Sequence, residues 1–241
     1  MLKLFYHIYT TDDQYGSLFF VDEQIKRLQY SELIDEASCF AVITGPAANA
    51  VWYLVDRSRR FRILDYDESP VDPLYEGRTL KQIYDLTTED DQIIYIHTKG
   101  ISYLLGDRTL NGQLSVRNFK SINGWRDTME HYCIDQWQQR LAAKYWHTQG
   151  CFLRTDPWPH YMGNMWWAQG SYIRSLPDPL TFPVKSYPGM QFAETAPERM
   201  RYEQWILLNP GAHMDLKPIP KNKNQDGYTS EFTPYEDELG L

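Results

Sequence analysis

The chain has 241 residues, 32 Asp and Glu against 24 Lys and Arg, and a formal net charge of −8. With no block of basic residues, that balance excludes a nonspecific nucleic-acid binder, which needs clustered positive charge to neutralise phosphates. The length suits one large domain, no apolar run reaches the roughly 18 residues of a spanning helix, and Cys39, Cys133 and Cys151 are too few and too far apart for a disulfide framework or a paired-cysteine metal site.

The N-terminus runs from Met1 to Asp12-Asp13 without the apolar core and small-residue cleavage site of a signal peptide, so a cytoplasmic location is expected. Leu2 to Tyr9 is an aromatic-rich run fit for a strand. From Gln14 to Tyr30, Leu18, Val21, Ile25 and Leu28 recur at three- and four-residue steps, the repeat of an amphipathic helix. Ala37 to Thr44 reads as a second strand ending at Gly45-Pro46, Ala47 to Asp56 as a short helix, Phe61 to Asp65 as a third strand and Thr79 to Leu86 as a helix. Ile93-Ile94-Tyr95-Ile96-His97-Thr98-Lys99-Gly100 is then the fourth strand, an apolar run with a basic, hydroxylated tip. Strands alternating with helices at this spacing imply a largely parallel sheet covered on both faces.

After that strand the rhythm changes. Phe119, Ile122, Trp125, Met129, Cys133, Trp137 and Leu141 predict a long amphipathic helix, or two meeting near Gly124, between Val116 and Tyr145. Gly150 to Arg154 is a short strand candidate. Two prolines stiffen the entry to Trp158-Pro159-His160-Tyr161-Met162-Gly163-Asn164-Met165-Trp166-Trp167-Ala168, and Gly163-Asn164 predicts a turn or cap before a helix from Met165 to about Leu176. Pro183 to Ala196 reads as irregular and Pro197 to Leu208 as a helix. The reading is one domain over residues 1–210 and a polar extension over 211–241 expected to be poorly ordered.

Ligands of α/β sheets gather beyond the carboxyl ends of the strands, where His97, Thr98 and Lys99 would stand. An ordinary polar corner on a strand leaving the core is the plainer alternative. Glycosyltransferases with an α/β nucleotide-binding fold usually carry an Asp-x-Asp at about this place, where carboxylates hold a divalent metal against the diphosphate of the donor. Here the place reads His97-Thr98-Lys99, and Lys99 can supply positive charge without a metal.

The sequence resembles the small GT-A-type glycosyltransferases of bacterial surface-polysaccharide clusters and large DNA viruses. The resemblance rests on Tyr95-Ile96-His97-Thr98-Lys99-Gly100, Trp125-Arg126, Arg154 to Tyr161, Gly163-Asn164-Met165-Trp166-Trp167-Ala168 and Glu203-Gln204-Trp205-Ile206, which occur in the family's order between about Leu2 and Leu208. It implies a GT-A-like, Rossmann-related single α/β domain that transfers a sugar, a hexose or deoxyhexose, from a nucleotide-sugar to a hydroxyl of a glycan acceptor during polysaccharide synthesis. A UDP-sugar is the leading donor, a lipid-linked acceptor and peripheral membrane association are compatible with it, and a divalent metal is not expected to be required.

Under that resemblance Tyr9, Thr10 and Thr11 would bracket the base and ribose of the donor. Lys99 and His97 would neutralise the diphosphate, and Thr98 and the Gly100 amide would donate hydrogen bonds to it. Trp158, Trp166 and Trp167 offer faces for sugar rings, with Arg126, Tyr161 and Asn164 also on the acceptor side. Asp156, His160 and Glu203 are the candidates for taking the acceptor proton, Asp156 slightly ahead because it lies on a loop. Asp65-Tyr66-Asp67 follows a strand, as a hard-cation site would, but one strand too early, and is read as a strand-end pair. Two other classes compete: a non-catalytic carbohydrate-binding protein, and a hydrolase built on Asp156, His160 and Glu203, which needs paired carboxylates at a fixed separation. No Gly-x-Ser-x-Gly supports a serine nucleophile.

Overall fold

A computed structural model of the chain describes residues 1–69, 74, 76–98, 101, 116–155, 158–183 and 197–217, with backbone only at 116–122 and 197–200. Three β-α steps and a fourth strand come first: β1 (Leu2–Tyr9), α1 (Gln14–Tyr30), α2 (Leu33–Glu36), β2 (Ser38–Thr44), α3 (Ala48–Ser58), β3 (Phe61–Asp67), α4 (Gly77–Leu86) and β4 (Gln92–His97). Then come α5 (Val116–Glu130), a π-helical turn (His131–Asp135), α6 (Trp137–Ala142), β5 (Thr148–Gly150), the hairpin of β6 (Leu153–Arg154) and β7 (His160–Tyr161), β8 (Trp166–Gln169), α7 (Gly170–Ser175), α8 (Pro197–Trp205) and β9 (His213–Asp215). The chain is a single α/β domain on a mixed, mostly parallel seven-stranded sheet in the order β3-β2-β1-β4-β8-β5-β9, with helices on its faces. Only β8 among these runs antiparallel to its neighbours, pairing Tyr95 with Trp166 on one side and Gly150 with Trp166 on the other.

The period of two along the strands divides the core. Leu4, Tyr6, Ile8, Ile94, Ile96 and Trp167 pack with Val21, Val51, Met129 and Cys133 on one face. Phe5, Ile93, Tyr95 and Trp166 pack with Leu80, Ile83, Tyr172 and Trp205 on the other. Asp13 caps α1 by accepting from the Gly16 amide at 2.9 Å, the side-chain contact that starts this helix after a strand. At the β2 tip Gly45 has φ +103°, and a Cβ there would collide with the Thr10 carbonyl oxygen, so glycine lets the β1 and β2 tips close together.

Three expectations are corrected. The run Met165 to Ala168 does not open a helix: Trp166–Gln169 is a strand, and α7 begins only at Gly170. A short apolar run buried on both faces carries no period that separates strand from helix. The long helix is interrupted by the π turn at His131–Asp135, not at Gly124, which lies inside α5. The domain also runs past residue 210, because β9 adds a parallel strand beside β5.

Candidate functional site at the carboxyl edge

Along the order β3-β2-β1-β4 the chain winds one way from β1 to β3, and the next strand, β4, lies on the opposite side of β1. That reversal is a topological switch point, and ligands of open α/β sheets bind outside the carboxyl ends of the two strands that flank it. Those ends are Tyr9-Thr10-Thr11 and His97-Thr98. Because β8 is antiparallel to β4, the turn that precedes it, Gly163-Asn164, arrives at the same edge. The fourth-strand tip and the aromatic motif therefore meet.

They meet on Glu76, a residue to which the sequence gives no prominence. One carboxylate oxygen, Oε2, accepts from the Tyr95 hydroxyl at 2.9 Å and from the Asn164 side-chain amide. The other, Oε1, lies 3.3 Å from His97 Nδ1. On its far side His97 Nε2 is hydrogen-bonded to the Gly163 carbonyl. Asn164 Oδ1 in turn accepts from the Trp166 indole at 3.0 Å. Gly163 and Asn164 have φ +85° and +53°, left-handed values that Gly and Asn tolerate, and a Cβ on Gly163 would strike the Met129 sulfur. Tyr202 of α8 closes over the head of α4, its ring filling the space where Gly77 lacks a Cβ.

The neighbouring groups complete the floor. His7 is buried and shares a 2.9 Å hydrogen bond with Thr79, and burial, with repulsion from His97, pushes its pKa down to about 4 although Glu76 pulls the other way. The Thr98 hydroxyl donates to the Tyr9 carbonyl at 2.8 Å and accepts from the Tyr9 amide at 2.9 Å, lacing β1 to β4. The Thr10 hydroxyl donates to the Thr44 carbonyl and accepts from the Ala47 amide at 3.0 Å. Both hydroxyls are buried and committed to backbone, so neither is left to donate to a phosphate oxygen or a ribose. Thr11 lies at the head of α1, its amide bonded to Ser17 Oγ at 3.1 Å. Lys99, Gly100 and Asp156 lie outside the described residues.

Arg78 takes both carboxylates of Asp65-Tyr66-Asp67, at 3.1 and 2.6 Å. Bonds from Ser69, aided by Arg78, hold the Asp67 carboxyl below its usual range. Among the described residues no cluster of three His, Cys, Asp or Glu side chains is grouped as a metal site.

The aromatic residues of the motif face inward. Trp166 and Trp167 are 0% and 1% exposed and sit on opposite faces of the sheet; Trp158 is 5% and Tyr161 1% exposed. None of the four presents a ring face to solvent. Tyr161 packs against Gly150 and shares a 2.9 Å bond with Thr148. His160 is hydrogen-bonded through Nδ1 to the Trp158 carbonyl at 2.9 Å, which places the proton of the neutral ring on Nδ1 and the lone pair on Nε2. Glu203 is part-buried on α8.

Arg126 belongs to a different feature, a cleft of about 760 Å³ between α1 and α5 that also includes Gln24, Arg27, Asp127, Glu130 and Asp135. Its guanidinium lies 4.4 Å over the Phe20 ring and 3.7 Å from Glu130. Burial raises the Glu130 pKa, against the pull of Arg27 and Arg126. The cleft joins the carboxyl edge through Gln24, which bonds Glu130 at 2.7 Å and the His97 carbonyl at 3.4 Å.

A family model described as Domain of unknown function (DUF8361) matches residues 5–207. The chain belongs to this family. Its matched span covers the switch point, the Glu76 network and the aromatic motif, and leaves out β9. Among curated proteins none matches the DUF8361 chain.

Glu76 and His7 are the residues that sequence reasoning passed over. A Glu at the head of a helix is an ordinary first-turn acid, favoured by the helix dipole, and a His inside an apolar strand reads as a satisfied core residue. No local signal separates either from those common cases.

Proposed function

We propose that this DUF8361 chain is a GT-A-type glycosyltransferase that moves a sugar from a nucleotide donor to a hydroxyl of a glycan acceptor. The observation that carries the reading is the convergence of the His97-Thr98 tip and the Gly163-Asn164 turn at the β1/β4 switch point, the position at which doubly wound sheets take nucleotides. In this reading the donor lies across the β1 and β4 ends, with Tyr9 and Thr11 along its nucleotide and Lys99 opposing its diphosphate. A UDP-sugar is the first donor to test, in the cytoplasm, with a free or lipid-linked glycan as acceptor.

The proton of the acceptor hydroxyl goes to His160 Nε2 as the hydroxyl oxygen attacks the anomeric carbon and the nucleoside diphosphate departs with the electron pair of the broken bond. The lone pair left on Nε2 by the Trp158 carbonyl favours His160 for this role. Ring stacking by Trp158, Trp166 and Trp167 is not part of the proposal, because all three are buried. The same burial removes the feature that favoured a non-catalytic carbohydrate-binding protein.

The test is a thermal-shift series against UDP, GDP, CMP and dTDP sugars, followed by an assay for released nucleotide with glycan acceptors. A ligand that binds only the folded state raises the melting temperature, by the equivalent of about 2.7 kcal/mol at a hundredfold excess over Kd. Stabilisation by one nucleotide class and nucleotide release that depends on acceptor are expected. No shift with any of the four would overturn the reading.

A further inference from the structure

The two ring nitrogens of His97 both face oxygen acceptors. Nδ1 meets the Glu76 carboxylate at 3.3 Å and Nε2 meets the Gly163 carbonyl. The Gly163 carbonyl has no hydrogen, so Nε2 must carry a proton; Glu76 accepts from Tyr95 and Asn164 at Oε2, and as a carboxylate it accepts at Oε1 from Nδ1 as well. A neutral imidazole would turn a bare lone pair toward one of them inside a site where His97 is only 5% exposed. The Tyr95 ring lies nearly parallel to the imidazole with centroids 5.8 Å apart, within reach of a cation–π contact.

We propose that His97 is held as an imidazolium by Glu76, and that this buried ion pair is the clasp fixing the Gly163-Asn164 turn against the tip of β4. Glu76 is then a positioning residue. Its carboxylate orients His97 through one oxygen and Asn164 through the other, so a single side chain sets both the strand tip and the turn. Among the described residues, the charged and titratable groups set against His97 include Glu76 from the head of α4, His7 from β1 and Tyr95 from β4; α1 contributes Gln24, and the turn contributes the Gly163 carbonyl. The pair is neutral as a whole, so His97 does not supply net positive charge to a diphosphate. That task falls on groups outside the pair. The consequence for donor binding rests on the sugar-transfer reading, whereas the charge state of His97 does not.

Nitrogen-15 labelling of the histidines of the full chain tests the charge state directly, with the His97 signals assigned from their loss in His97→Gln. Two protonated ring nitrogens at pH 7.5 are expected, and a neutral tautomer at that pH would overturn the proposal. In Glu76→Gln, His97 is expected to become neutral at pH 7.5 and the affinity for UDP to fall at least tenfold while cooperative melting persists. A doubly protonated His97 in that variant would show that Glu76 is not what holds the charge. Unchanged UDP affinity beside a neutral His97 would remove the positioning role. Should Glu76→Gln fail to fold, Glu76→Asp, which keeps the charge and shortens the reach, is expected to keep the imidazolium; its loss there would count against the pair. Absence of UDP binding by the unaltered protein, with the imidazolium present, would count against sugar transfer alone.

Discussion

Asn164 accepts a hydrogen bond from the Trp166 indole at 3.0 Å while its amide donates to Glu76, so one left-handed residue joins the head of β8 to the carboxyl edge of the parallel strands. Trp166 is wholly buried, and its N–H has no route to water. Asn164→Ala leaves that donor unpaired, removes a partner from Glu76, and puts Ala where φ +53° favours Asn. A loss of about 3 kcal/mol is expected from urea unfolding, since an orphaned buried donor costs about 1–3 kcal/mol and the backbone adds roughly 1. A loss below about 0.5 kcal/mol would mean that Trp166 finds another acceptor. Asn164→Asp should destabilise most near neutral pH, where a second carboxylate meets Glu76.

His7 makes stability depend on pH with a definite sign. Its pKa is about 4 in the folded chain, lowered chiefly by burial, against about 6.5 when exposed. Between those values the unfolded chain binds the proton more readily, so stability is complete above about pH 6.5 and is lost as pH falls toward 4, by about 3 kcal/mol in all. His7→Gln keeps a group able to bond Thr79 and removes the titration. Between pH 7 and pH 4.5 the urea midpoint of the parent should fall more than that of His7→Gln. Parallel curves over that window would remove His7 from the account.

The strands and helices of the first half were legible because each carries its own pattern: three-residue and four-residue steps through Val21, Ile25 and Leu28, and predominantly apolar runs at Leu2–Tyr9 and Ile93–Ile96. The carboxyl edge was legible too, since a β-α alternation places strand tips together whatever their residues. Trp166 and Trp167 were misplaced because opposite faces of one short strand and successive positions of a helix look alike over four residues. Glu76 was invisible because its importance comes from three partners, His97, Tyr95 and Asn164, that are remote in sequence and converge only when β8 pairs with β4.

Arg78 governs the expected response to chelators. Asp65 and Asp67 have the Asp-x-Asp spacing suited to a hard cation, yet the guanidinium occupies both carboxylates, at 3.1 and 2.6 Å, and a cation there would have to displace it. Sugar transfer measured with a donor that passes the thermal-shift screen should therefore survive EDTA with less than a twofold change. Arg78→Gln frees the carboxylates, and manganese should then raise the melting temperature of the variant but not of the parent. Loss of activity in EDTA restored by manganese would show that other groups recruit a metal.

His160 is the sharpest kinetic test of the proposed chemistry. Its Nδ1 is tied to the Trp158 carbonyl at 2.9 Å, so the proton acceptor has to be Nε2. His160→Asn retains a side-chain N–H able to reach that carbonyl and lacks the basic nitrogen. If His160 takes the acceptor proton, kcat should fall about 10²-fold or more, the usual contribution of general-base catalysis, with little change in KM for the donor. Asp156→Asn and Glu203→Gln complete the comparison. A fall of that size in Glu203→Gln, with His160→Asn nearly unaffected, would transfer the role to α8, whose Tyr202 already packs against the head of α4 beside Glu76.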